Sequence, residues 1–259
     1  MYLDKKAKTH LFSLFLIFFT AGAHSATVDL TGVGSNGGGY GNSLSFTDGA
    51  VSFDVYAFGE TGAETPVSSQ YYSFETAEIY SWATGLGSCN RQEGTVGSGC
   101  SASEHEVDTI NRDDLLVFVF DQVVDFNFLT VDPYNGPGSD ANDRDIIYWA
   151  GTVASLPDLT SETFDTLAGL FGPETHQSAS EGYAPYTHSL SGSGNIFLLS
   201  GNYHDLSCKA HNSNREECEA YKIADISFTA TTVPVPAAFW LFGTAIIGLG
   251  SYRRSTRKR

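Results

Sequence analysis

On either side of Asp48-Gly49 the chain alternates apolar and polar residues, with Leu44 and Phe46 before the pair and Val51, Phe53 and Val55 after it. A period of two sends successive side chains to opposite faces of an extended strand, so each segment has one face to bury. Asp-Gly tolerates the positive φ that a tight hairpin turn requires. The pattern predicts a hairpin of Ser43–Thr47 and Val51–Phe58. The same reading finds strands at Leu115–Phe120, Val123–Val131, Asp145–Val153, Asn195–Ser200 and Ile223–Ala230. Asp121-Gln122 separates the first two of these, and only Ser161–Leu170 has room for a short helix. Composition agrees: 27 Gly, 18 Phe and 13 Tyr stand against one Met, which favours strands and turns over a helical bundle. Many short strands without βαβ alternation predict an all-β fold, an antiparallel β-sandwich of jelly-roll-like type.

Charge is distributed unevenly. Lys5, Lys6 and Lys8 precede the first apolar run, and Arg253, Arg254, Arg257, Lys258 and Arg259 follow the last. Residues 26–252 keep 6 basic and 29 acidic residues, a net charge of -23. Such a body repels phosphate and excludes nucleic-acid and anionic-lipid binding.

The two ends read as targeting segments. Leu11–Ala23 is an uncharged run of 13 residues after the lysines, followed by Ala23-His24-Ser25 with small residues at positions -3 and -1 of a cleavage after Ser25. A basic start, a short apolar run and a small-residue site are the parts signal peptidase requires; the alternative is an uncleaved anchor. Residues 1–25 are therefore expected to be a signal peptide and 26–232 an extracytoplasmic domain. At the other end no charge falls between Asp225 and Arg253. Pro234 and Pro236 keep a helix from starting earlier. Ala237–Tyr252 then gives about 24 Å of helix at 1.5 Å per residue, against a hydrocarbon core of about 30 Å. The basic tail 253–259 is expected to stay cytoplasmic.

The order Val233-Pro234-Val235-Pro236-Ala237-Ala238-Phe239-Trp240-Leu241-Phe242-Gly243, a short glycine-containing apolar helix, then Arg253-Arg254 resembles the PEP-CTERM sorting signal. Val235 stands where the name-giving triad has Glu, a departure that bears on the sorting subtype. The resemblance implies a tail, residues 233–259, read by an exosortase, a membrane cysteine transpeptidase-like enzyme. It implies a precursor held in the inner membrane with its body in the periplasm, then release to the cell surface or extracellular matrix. A structural or adhesive role beside exopolysaccharide in a biofilm follows, with no catalysis. An ordinary tail anchor is the plainer alternative. Residues 82–151, through Trp82–Gly87, Glu104–Asp108, Asp114–Phe120 and Tyr148–Gly151, are similar to extracellular bodies found on such proteins.

Four sets of residues invite chemistry. Cys89/Cys100 and Cys208/Cys218 are close pairs that, in an exported chain, are expected to be disulfides. The competing reading is a zinc site from His204, Cys208, His211 and Cys218; with the disulfides formed, His204 and His211 are left free. Asp140, Asn142, Asp143 and Asp145 alternate oxygen donors on a loop and form a candidate Ca²⁺ site, to which Asp108, Asp113 and Asp114 would add. Tyr71, Tyr72, Tyr80, Trp82, Tyr148, Trp149 and Tyr183 form either a sugar-stacking face or core. With the many carboxylates, they support the alternative function of a secreted carbohydrate-binding or glycan-hydrolysing module. Gly32–Gly37 spells GxGxxG, but more glycines and a strand follow where dinucleotide binding requires a helix.

Overall fold

The two neighbouring apolar segments Leu115–Phe120 and Val123–Val131 lie in one unbroken strand. A computed structural model describes residues 23–32, 38–39, 41–49, 51–61, 72–90, 106–109, 112–133, 143–204 and 220–230. In chain order the strands are β1 (His24–Asp29), β2 (Gly38–Gly39), β3 (Ser43–Asp48), β4 (Val51–Glu60), β5 (Phe74–Thr76), β6 (Glu78–Trp82) and β7 (Gly85–Cys89). They continue with β8 (Val107–Asp108), β9 (Asp114–Pro133) and β10 (Ile146–Gly151), then helix α1 (Phe164–Phe171). β11 (Thr175–Gln177), β12 (Tyr186–Ser189), β13 (Ser193–Ser200) and β14 (Ala220–Ala230) complete the order. All pairings are antiparallel and link the strands into one large sheet.

β9 organises the rest. Its first half lies between β4 (Val55↔Phe118) and β13 (Phe197↔Phe118). Its second half lies between β14 (Ile226↔Leu129) and β12 (His188↔Leu129). The burial follows the pattern in the sequence. Leu115, Leu116, Val117 and Phe118 are all fully buried, as a continuous apolar run covered on both faces requires. Beyond Asp121 the strand alternates, burying Val124 and Phe126 and exposing Val123 and Asp125.

The expected break at Asp121-Gln122 does not occur. Both residues stay extended, where β9 exchanges its partners, Phe53↔Phe120 being its last pair with β4 and Val124↔Ala230 its first with β14. The polar pair marks a change of neighbours rather than a turn. Aromatic rings then join the two halves: Phe120 lies 5.6 Å from Phe126 and 5.0 Å from Phe228, and Phe126 lies 4.9 Å from Phe197. These separations are those of favourable edge and tilted ring pairs.

The two faces of the first half serve different clusters. Leu116, Phe118 and Phe120 join the larger core with β3, β4 and β14. Leu115 and Val117 point into a second cluster with Trp149, Leu159, Ile196 and Tyr203, roofed by Phe164, Leu167 and Phe171 of α1. The helix was expected within Ser161–Leu170. Thr166 Oγ1 accepts from the Thr163 N–H at 2.8 Å, satisfying one of the amide donors left over at a helix start.

The expected hairpin is present as β3–β4, with Asp48↔Val51 closing it and Gly49 at φ +61°. At Gly85, φ is +140° and an added Cβ would lie 2.3 Å from the Ile223 carbonyl oxygen. Only glycine lets β7 approach β14 there. β1 takes up His24 and Ser25, which pair with Ala230 and Thr229. Cleavage after Ser25 would remove the first two residues of that strand. The compact unit formed by the described residues spans Ala23–Thr231.

Candidate metal-binding cluster

A strand spacing of two builds the first half of the cluster. Glu174 immediately precedes β11 and His176 is its central residue. In extended backbone, residues two apart share a face, so carboxylate and imidazole point the same way. Register builds the second half. Ile147 of β10 pairs with His176 on one side and with Ser200, the last residue of β13, on the other. Beyond Ser200 the chain turns back, with the Tyr203 N–H donating to the Gly201 carbonyl at 2.9 Å. That turn returns His204 to the β11 edge.

The geometry is tight. Glu174 Oε1 lies 2.8 Å from His176 Nε2 and 2.7 Å from His204 Nε2. The imidazoles stack, 5.2 Å between centroids and 14° between planes. The Tyr203 hydroxyl donates to the other oxygen, Glu174 Oε2. Tyr203 is itself fixed, stacked at 4.1 Å on buried Phe164 and at 6.1 Å on buried Trp149. A carboxylate with both oxygens occupied, standing against an aromatic wall, is held in one orientation. Partial burial pushes the Glu174 carboxyl upward, but the bonds from Tyr203, His176 and His204 outweigh it and hold it below its ordinary value. Burial, then the adjacent carboxylate, pushes the Tyr203 phenol up, so it stays a donor. Among the described residues, Glu174, His176 and His204 are a group of three metal-donor side chains whose donor atoms lie within 4.8 Å of one another.

His204, expected to stand outside any zinc site once the disulfides form, is hydrogen-bonded to Glu174 and stacked on His176. Cys208, His211 and Cys218 lie outside the described residues, as do Cys100, Asp140 and Asn142. Cys89 is buried and disulfide-bonded. The sorting residues Val233, Pro234, Pro236, Ala237, Ala238, Trp240, Leu241, Gly243, Arg253 and Arg254 also lie outside. Among the described residues no helix is long and apolar enough to cross a membrane.

The described part of the acidic loop is occupied with folding contacts. Asp143 Oδ1 accepts from the backbone N–H groups of Arg144 at 2.7 Å and Asp145 at 3.1 Å. Asp145 Oδ1 accepts from the Ala179 N–H at 2.7 Å. Burial first, and the neighbouring Asp145 charge second, push the Asp143 carboxyl up to about 6. Between the two acids, Arg144 donates to the Ser180 and Ala184 carbonyls and lies over the Tyr186 ring at 4.9 Å. Asp108, Asp113 and Asp114 are buried at the start of β9 and beside it, near the ion pair of Lys222 with Glu106 at 2.6 Å.

The aromatic set divides. Tyr80, Tyr148 and Trp149 are core residues, while Tyr183 is 46% exposed. A stacking platform built on Tyr148-Trp149 is therefore ruled out: both side chains are buried, Tyr148 beside Phe197 and Trp149 beside Phe164. Of the GxGxxG run only Gly32 is described, and the short strand β2 follows.

Sequence reasoning missed Glu174 and His176. The available signal was Glu-x-His at strand spacing directly after Pro173. The partner His204 is 30 residues from Glu174 in sequence, and nothing local links them. No family model, no curated protein and no solved structure matches the chain.

Proposed function

We propose that the chain is an exported cell-surface or matrix protein without catalytic function, its body a jelly-roll-like β-sandwich carried on a PEP-CTERM-type sorting tail. The observation that carries this reading is the pairing of β1 with β14. Ala26 is the Cα partner of Phe228, so the first and last strands of the described body lie side by side. Such an arrangement is compatible with a body tethered through either end and later released. A further observation supports it. Cys89 is disulfide-bonded, as suits an oxidising compartment.

On this reading signal peptidase trims the N-terminal segment, and an exosortase-type enzyme cuts near Pro234–Pro236. The body then reaches the exopolysaccharide matrix and the apolar helix stays in the inner membrane. Mass analysis of protein recovered from the native envelope tests it. The expected species end near residues 234–236. Recovery solely of species that retain Tyr252 and Arg253–Arg259 would refute processing.

A further inference from the structure

We propose that Glu174 Oε1, His176 Nε2 and His204 Nε2 together bind one Zn²⁺ ion. The site does not depend on how the chain is sorted. Two imidazole nitrogens and one carboxylate oxygen are a recurrent zinc donor set, with Zn–N near 2.0–2.1 Å and Zn–O near 2.0–2.2 Å. Imidazole pairs prefer borderline ions of this class over Ca²⁺ or Mg²⁺, which prefer oxygen. In tetrahedral coordination the donor atoms sit about 3.3 Å apart. The present 2.7 and 2.8 Å separations must open by roughly half an ångström, and the two Nε2 atoms, within 4.8 Å of each other, must be brought to that spacing by rotation of the exposed imidazoles. Each neutral imidazole then offers its Nε2 lone pair and carries its proton on Nδ1. The ion replaces two hydrogen bonds that converge on a single oxygen.

Three features make this a built site rather than a chance meeting of exposed side chains. Glu174 and His176 share a strand face because they are two residues apart. His204 is brought to them by the β10–β11 and β10–β13 registers. Tyr203 holds Glu174 Oε2 and is itself wedged against Phe164 and Trp149, which leaves Oε1 to face the imidazoles. Second-sphere bonds of this kind orient metal ligands. The side chains are partly open to solvent, His176 at 47% and His204 at 41%, so an ion can enter and water can complete the coordination. The acidic body adds a field that concentrates cations.

The test is a ZnCl₂ titration of the detergent-purified full chain, stripped with chelator and kept under non-reducing conditions. One equivalent of zinc should bind. At zinc a hundredfold above Kd, Tm should rise by roughly 5–10 °C. His176→Ala and His204→Ala should each weaken binding at least tenfold, and Tyr203→Phe by about 10–100-fold. His176→Ala is the discriminating variant, because a site made from His204, Cys208, His211 and Cys218 would not need it. Zinc binding by His176→Ala with wild-type strength overturns the proposal. So does a stripped wild type that takes up no zinc. If the variants fail to fold, diethyl pyrocarbonate decides in the unaltered protein. Zinc should protect His176 and His204 from modification, and equal modification rates with and without zinc overturn the assignment.

Discussion

Asp114 sits at the first position of β9 with no exposed surface. Its Oδ1 accepts from Ser88 Oγ at 3.1 Å, and its Oδ2 is buried without a hydrogen-bond donor. Burial first, and the nearby Asp108 charge second, raise this carboxyl well above its ordinary value. The folded state therefore holds the proton at pH values where the unfolded chain has released it. By linkage, the stability associated with this proton is fully present below the unfolded pKa and is lost as pH rises through the folded one. Asp114→Asn keeps an acceptor for Ser88 and removes the charge. It should be more stable than wild type at alkaline pH, the difference shrinking as pH falls and vanishing only below about 4, the ordinary Asp value, where Asp114 is protonated in both states. Urea midpoints of the two proteins at several pH values measure this, and parallel profiles would refute it. The residue scale also shows what a sequence conceals. Asp114 and Asp121 are both acids within the same strand, yet one is buried and the other exposed.

At the scale of elements, β9 explains why the two clusters form. One strand supplies side chains to both, because its first half is sandwiched between β4 and β13 and covered on each face. Its second half returns Phe126 to the larger cluster, against Phe120 of the same strand and Phe197 of β13. Phe126→Ala removes a nearly fully buried ring and leaves a cavity at the point where the halves meet. A loss of about 3–5 kcal/mol is expected in chemical denaturation. A loss under 1 kcal/mol would mean that the ring contacts do not join the halves. The strands legible beforehand were those with strong alternation or long apolar runs. β1, β6 and β7 were not, nor were the short strands β2, β5, β8, β11 and β12, whose two to four residues carry too little period to separate strand from loop. β11 is the costly omission, since it carries His176.

For the whole molecule, one cross-link and one pairing carry most weight. The disulfide at Cys89 anchors the end of β7 beside buried Asn90, whose amide donates to the Glu60 carbonyl at 3.3 Å. Removing a native disulfide from a domain typically costs about 2–5 kcal/mol. Cys89→Ser should therefore lower Tm and reduce the yield of folded protein from an oxidising compartment. Equal Tm for oxidised wild type and the variant would show that the cross-link contributes nothing. The pairing of β1 with β14 closes the body at its own ends, and Ser227 Oγ donates to the Ala26 carbonyl at 2.9 Å within it.

What the sequence determined by itself is local: the β3–β4 hairpin, the alternation of the second half of β9, the continuous apolar run of its first half and the place of helix α1. Each follows from periods and turn residues within about ten positions. The acidic charge is also read directly, since it depends on composition rather than contact. Tertiary structure alone decided which strands pair, that Tyr148 and Trp149 are core, and that Asp143 and Asp145 serve backbone amides. It alone brought Glu174, His176 and His204 together. The reason is register. Donor atoms from segments 30 residues apart meet only because β10 pairs β11 on one side and β13 on the other, and no local pattern encodes both pairings at once.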